Sequence, residues 1–379
     1  MSPDISISDS GSVNTRFSYE TRSAVMSISD DNSLVMASPA PSIYSVTESI
    51  RQQSYRVEHG RIVNNYSDVY GLPADEEETY RLNEQHQFFT HMFGPFPQIL
   101  YEILAPDSST QKAVIDLGCG SGAWIYDVAR AFPHCRAVGV DLAPIPGPSP
   151  PNFTGEIDDI NLGLQHHYSQ FDVVHTRFVA QGIQDYESYI DHMAKCLRPN
   201  GLLILCEFDF KIYRLDRVPY PPWGPSYTPN GQYIDTPFLC HWFNALNRAI
   251  ESRGGSLAAE YMYDWAKNHP FFDGAEVAHQ EMYFPFGPYS LTQELISLGY
   301  DAIKLNRVGE MVRNDVHSFL RGGRVMLLSN MSEGEVDLLE NPAHIELENM
   351  QFPGLARVIT VYARRKANVE NTLVHKWNH

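Results

Sequence analysis

An α/β fold, with a mostly parallel sheet carrying helices on both faces, is predicted by two features of the chain. Short apolar runs of strand length alternate with amphipathic stretches of helix length from residue 112 onward. The first of these runs ends in a cluster of glycines that opens the next helix, as a ligand-binding strand-to-helix turn does.

Residues 1–50 are rich in Ser, Asp and Asn and show no sustained period. Such a segment cannot bury enough apolar surface to offset the entropy of ordering it. A disordered tail is expected, with short helical turns near Val46 to Tyr55 and order from about Tyr66. In the stretch from Ala74 to Phe93, acids fill a first turn, where the helix dipole favours them. Leu82, His86, Phe89 and Phe93 then recur at helical spacing, and Gly94-Pro95 stops the helix.

Lys112 to Leu117 reads as the first buried strand, followed by the glycine turn and a helix from Ala123 to Phe132. Arg136 to Val140, Phe153 to Ile157, Phe171 to His175 and Leu202 to Phe208 supply four more strands. A helix carrying Tyr186, Ile190, Met193 and Leu197 on one stripe lies between the last two. This spacing implies right-handed crossovers and therefore a parallel sheet. Beyond Asp209 the pattern breaks at Pro219, Pro221, Pro222, Pro225, Pro229 and Pro237, which suggests a lid or long loop. A helix with Leu239, Phe243, Leu246 and Ile250 on its stripe follows. The last strands fall at Glu276 to Phe284 and Ala356 to Tyr362, with helices at 291–320 and 332–349 between them.

The chain has 379 residues, with 28 basic against 46 acidic side chains and a net charge of −18. Proteins that hold nucleic acid by its phosphates cluster Lys and Arg. No nucleic-acid partner is expected, and the one dense basic run, Arg364-Arg365-Lys366, reads as a solvated strand end. Five cysteines without a C-x-x-C pair fit a reducing compartment and give no zinc spacing, so no metal site is expected. The start, Met1-Ser2-Pro3-Asp4, has neither a basic nor an apolar targeting region, and no apolar run spans a bilayer. A cytoplasmic or nuclear chain without membrane contact is expected.

The chemistry concentrates in Val114-Ile115-Asp116-Leu117-Gly118-Cys119-Gly120-Ser121-Gly122. Glycines let the backbone turn sharply and approach a ligand with no Cβ in the way. Gly118, Gly120 and Ala123 also satisfy a dinucleotide fingerprint, so the loop alone is ambiguous. Acids around it tilt the choice. Asp116 sits inside the strand end, where a carboxylate suits an amino-acid ammonium and repels a pyrophosphate. Asp141 closes the second strand and suits a ribose diol. Asp158 and Asp159 lie just past strand three, where one could accept from an adenine amino group.

These residues closely resemble class I S-adenosylmethionine-dependent methyltransferases. Within that superfamily the chain is similar to the fungal LaeA-like group. The resemblance to this group rests on Leu72-Pro73-Ala74-Asp75-Glu76-Glu77-Glu78, Arg81-Leu82, Gln85-His86, His175-Thr176-Arg177, Met331 to Asp337 and Val361 to Arg364. It implies a Rossmann-like sheet of seven strands with the last antiparallel, and S-adenosyl-L-methionine as cofactor. It implies roles for Asp116, Gly118 and Gly120 toward the methionine part, Asp141 toward the ribose, and Asp159 or Asp158 toward the adenine, with Asp159 preferred. The Pro-rich stretch from Ala143 to Pro151 departs from the pattern and lengthens the turn after Asp141. The expected division is a tail at 1–50, a helical cap at 51–110, and a methyltransferase domain at 111–370 with an insert at about 209–290.

The leading expectation is methylation of an oxygen on a small secondary-metabolite acceptor, shaped by the aromatic-rich insert. Its alternative is a LaeA-like nuclear regulator working through protein partners, because fold does not fix function. A nicotinamide-dependent oxidoreductase would need a Tyr-x-x-x-Lys near strand five, and none is present. No catalytic residue is singled out. His86, His91, His175, His241 and His279 are undistinguished candidates for a base, and Arg177 could pair a substrate carboxylate or a local acid. Trp223, Tyr227, Trp242, Phe243, Tyr283 and Phe284 divide between pocket lining and plain packing.

Overall fold

The structure, a computed structural model, describes residues 47–222, 235–288, 301–351 and 353–369, together with short strands at 14–17, 42–45, 226–227 and 233–234. Seven strands form the central sheet: β1 (Ala113–Leu117), β2 (Arg136–Asp141), β3 (Phe153–Ile157), β4 (Phe171–Arg177), β5 (Leu197–Tyr213), β6 (Ala278–Pro285) and β7 (Leu355–Arg364). Their spatial order is β6-β7-β5-β4-β1-β2-β3. All pairings from β3 to β5 are parallel, while β7 runs antiparallel to both its neighbours. This is a Rossmann-like fold with its final strand reversed, as expected.

All five residues of β1 are buried, which explains its continuous apolar run. Alternate residues serve opposite faces. Ile115 and Leu117 join Ile190 and Met193 of α3 (Tyr186–Cys196), and Val114 joins Ile125 and Val128 of α2 (Ala123–Ala131). The fifth strand is much longer than its apolar stretch, because β7 keeps pairing with its backbone as far as Tyr213, whereas β4 pairs with it only to Cys206.

Four helices roof the sheet's carboxyl edge: α1 (Glu76–Phe93), α4 (Phe238–Ser252), α5 (Ala302–Leu327) and α6 (Glu333–Glu348). Asp75 caps α1, accepting from Glu78 N–H. The inward face of α1 differs from the expected stripe, since Phe93 is exposed while Glu78 and Arg81 are buried. The charges are admissible there because Arg81 bonds both oxygens of Glu78 and reaches Asp315 of α5 at 2.8 Å.

Three other features depart from the sequence reading. Order begins before Tyr66: the helical turns expected near Val46 to Tyr55 form as helix Glu48–Gln53, but an unforeseen hairpin follows, Tyr55–Glu58 with Arg61–Asn64, turned by His59 and Gly60 at φ 47° and 81°. Two four-residue strands of the 1–50 segment, Asn14–Phe17 and Ser42–Ser45, extend the sheet beyond β3, and the remainder of residues 1–46 lies outside the described residues. The basic run at the end of β7 is not wholly solvated. Arg365 is buried and donates to the carbonyls of Ala194 and Leu197, at the end of α3 where the helix dipole is negative. Much of the proline-rich segment lies outside the described residues. Among the described residues, no helix is long and apolar enough to cross a membrane.

The roof is held by one large ring. Trp242 of α4 is fully buried between Phe243 and Phe319, over Gly323 of α5, where a Cβ would come within 2.6 Å of the indole. Trp242→Ala is expected to cost about 3–5 kcal/mol, the range for emptying such a site, measured by chemical denaturation.

Candidate functional site

The carboxyl ends of β1 to β4 meet at the point where strand order reverses, the usual place for a ligand in a doubly wound sheet. One cavity opens there, and Asp116, Gly118, Gly120, Asp141, Asp158 and Asp159 all line it. The glycine loop is tied to β2. Gly118 N–H and Cys119 N–H donate to Val140 O at 2.8 and 3.0 Å, and Gly120 N–H donates to Asp141 Oδ2 at 2.8 Å. Gly118 has φ 72°, and a Cβ on it would lie 2.4 Å from Val179. Here the residue type is dictated by sterics.

The Pro-rich turn after β2 folds back onto Asp141, whose Oδ1 accepts from Ala143 N–H at 3.1 Å. Burial raises the Asp141 pKa against these backbone donors. Asp116 Oδ1 faces His175 Nδ1 at 2.7 Å, and Trp124 stacks on the same imidazole with ring centres 3.7 Å apart. Burial pushes His175 below its usual pKa, although Asp116 opposes the shift. A neutral ring that donates Nδ1–H to Asp116 carries its lone pair on Nε2. Asp158 prolongs β3, its N–H donating to Asp141 O at 3.0 Å. Asp159 caps the turn Ile160–Leu162, with Oδ1 accepting from Asn161 N–H and Nδ2.

Beyond these acids the cavity becomes aromatic. Phe88 and Phe89 of α1, Phe208 and Phe210 of β5, Phe284 of β6 and Phe319 of α5 all reach it. Of the aromatic residues singled out from the sequence, Phe243 and Phe284 line the cavity, Trp242 is core, and Tyr283 stacks edge-on against Tyr213 outside it. The side chains of Trp223 and Tyr227 lie outside the described residues. Arg177 projects among the rings, with its guanidinium 5.1 Å from the Phe89 centroid and Nη2 3.4 Å from His86 Nδ1. His86 is held from behind by Asp127, 3.0 Å from Nε2. Burial lowers the pKa of both His86 and Arg177. The cavity does not include His91, His241 or His279.

Glu207 escaped the sequence reading because it sits in a strand with no motif around it. Its Oε1 accepts from Val179 N–H, Ala180 N–H and the Tyr186 hydroxyl, fixing the turn that presses on Gly118. Burial raises its pKa to about 8. The unfolded chain therefore loses this proton near pH 4.5 and the folded chain only near 8, so stability falls as pH rises between them. Glu207→Gln is expected to remove that fall, gaining on wild type in urea midpoint as pH is raised from about 4.5 to about 8.

A family described as a methyltransferase domain matches residues 88–252. The secondary metabolism regulator laeA of Coprinopsis cinerea is 39% identical, over 85% of this chain and 77% of that protein. The methyltransferase pytC of Aspergillus terreus is 32% identical, over 58% of this chain and 63% of that protein. The protein-methionine methyltransferase laeA of Emericella nidulans is 26% identical, over 66% of this chain and 62% of that protein. Residues of one family thus run from the helical roof through the sheet. The chain belongs to the LaeA-like group of class I methyltransferases, enzymes that use S-adenosylmethionine.

Proposed function

We propose that this enzyme methylates an oxygen of a small aromatic acceptor in secondary metabolism. The observation that carries the reading is the enclosed lining of phenylalanines, drawn from α1, α4, α5, β5 and β6, that adjoins the acidic half of the cavity. Rings converging from five separate elements suit a flat apolar molecule, with the Arg177 guanidinium beside the Phe89 ring to orient a polar group on it.

The donor set fits the cofactor. Asp116, Asp141, Asp158 and Asp159, gathered in one half of the cavity, are unsuited to phosphates and suited to an ammonium, a diol and an amino group. In this reading Asp116 receives the ammonium, and the backbone at Gly118 and Gly120 lies against the methionine chain. Asp141 accepts from the ribose hydroxyls, its lone pairs exceeding the two loop N–H groups it already holds. Asp159, or Asp158 beside it, accepts from the adenine amine. S-adenosylmethionine supplies a methyl group on a cationic sulfur, ready for in-line displacement. The protein has then to hold the acceptor oxygen in line, exclude water and take a proton. His175, oriented by Asp116 and neutral near pH 7, is assigned the last task through Nε2.

The name of one relative, a secondary metabolism regulator, favours a second reading, that this chain is a regulator; in that reading it would work in the nucleus through protein partners. The two separate by where label goes from methyl-labelled S-adenosylmethionine. Transfer to members of an aromatic hydroxyl panel, abolished in Asp116→Ala, supports the enzyme of small molecules. Label found only in protein fractions overturns it.

Two further outcomes are expected. Asp141→Ala strips the partner from two loop N–H groups and should weaken S-adenosylmethionine binding about tenfold or more by calorimetry, from hydrogen bonds to a charged group worth about 1.5–3 kcal/mol. The rate should rise with pH through a value below the usual histidine pKa and then level, and His175→Gln should lose that limb.

A further inference from the structure

Glu156 and Asp158 are two residues apart at the end of β3, so the pleat turns both to the same side. The chain then coils through two short turns, Ile160–Leu162 and Gln165–His167, and lays a pair of imidazoles back over them. His167 Nε2 stands 3.0 Å from Glu156 Oε2, and His166 Nε2 stands 3.4 Å from Asp158 Oδ2. One ligand atom from each of Glu156, His166 and His167 falls within 4.8 Å of the other two. The cluster is interior: Glu156 is 3%, Asp158 6% and His167 2% exposed.

Charged and polar groups are costly to bury unless something answers them. His167 Nε2 is close to the Glu156 carboxylate, yet no hydrogen bond joins it to any partner. Lone pairs that converge without a proton aligned between them are the arrangement of metal ligands. The geometry points to a zinc site formed by Glu156, His166 and His167. Imidazole nitrogens and carboxylate oxygens bind zinc at about 2.0–2.2 Å, which sets tetrahedral donors roughly 3.4 Å apart. Magnesium and calcium would require more oxygens, six or above, than the cluster offers.

Glu156 and His167 are interior and none of the three donors lines the cofactor cavity, so the ion is structural. It joins β3 to the 165–167 turn beside Asp158, which lines the cofactor cavity. The ion thus braces the adenine-facing wall without entering the reaction.

The test uses the tag-free full chain, dialysed against chelator-treated buffer and analysed by plasma mass spectrometry after loading with zinc chloride. About one zinc per chain is expected, falling to background in His167→Ala and in Glu156→Gln, both checked for folding by circular dichroism. Should His167→Ala fail to fold, Glu156→Gln and His166→Gln carry the comparison. A strong chelator should lower the melting temperature of the wild type and leave that of the folded variants unmoved. The half-buried pair His317 and His344, whose Nδ1 atoms lie 2.7 Å apart, serves as control, and His344→Ala should keep the full zinc content. Zinc near zero in the wild type, or unchanged in both site variants, overturns the proposal.

Discussion

The structure depends on the bond between Gly120 N–H and Asp141 Oδ2 and on the two bonds beside it to Val140 O. These tie the glycine loop after β1 to the end of β2. A loop with three glycines at positive φ, Gly118, Gly120 and Gly122, has no side chain at those positions to hold its shape. The neighbouring strand supplies the shape instead. Asp141 is consequently committed before any ligand arrives, and its burial is offset by backbone donors rather than by a cation.

A second tier of polar contacts supports that loop from behind. Glu207 fixes the 179–180 backbone, Val179 covers Gly118, and Thr176 donates to Leu117 O at 2.9 Å. Asp116 and His175 complete the floor. None of these residues needs a ligand to be ordered. The acidic half of the cavity is therefore built on strand ends and short turns, whereas the aromatic half joins rings of β5 and β6 to rings of the helices that lean over them.

The sheet was legible because its signals are local. An apolar run of strand length, a glycine turn and a helix period lie within a few residues of one another, and β1 to β4 match their expected positions within two residues. The acids at 116, 141, 158 and 159 stand at or just past strand ends, so the same local signals that mark the strands bring these residues to one cavity. What escaped was set by distant pairing. Glu207 and Arg365 look like surface charges until the 179–180 turn and the end of α3 are placed against them. The hairpin at 55–64 uses His59-Gly60, a turn pair weaker in signal than Asn-Gly. Phe208 and Phe210 read as strand filler, and only the roof turns them into a pocket wall. Adjacent histidines at 166 and 167 carry no spacing rule, and their neighbours Glu156 and Asp158 come from the strand before.

The contact between Arg81 and Asp315 spans 234 residues of chain. A ribosome delivers the N-terminal partner long before the C-terminal one, and closing so large a loop is entropically slow. During synthesis α1 therefore waits with a buried-type arginine and a row of phenylalanines unsheltered, while the glycine loop and its first four strands already have all their sequence. The aromatic half of the cavity cannot be completed until α5 has been made, so the apolar face of α1 goes without its cover for most of the chain's synthesis.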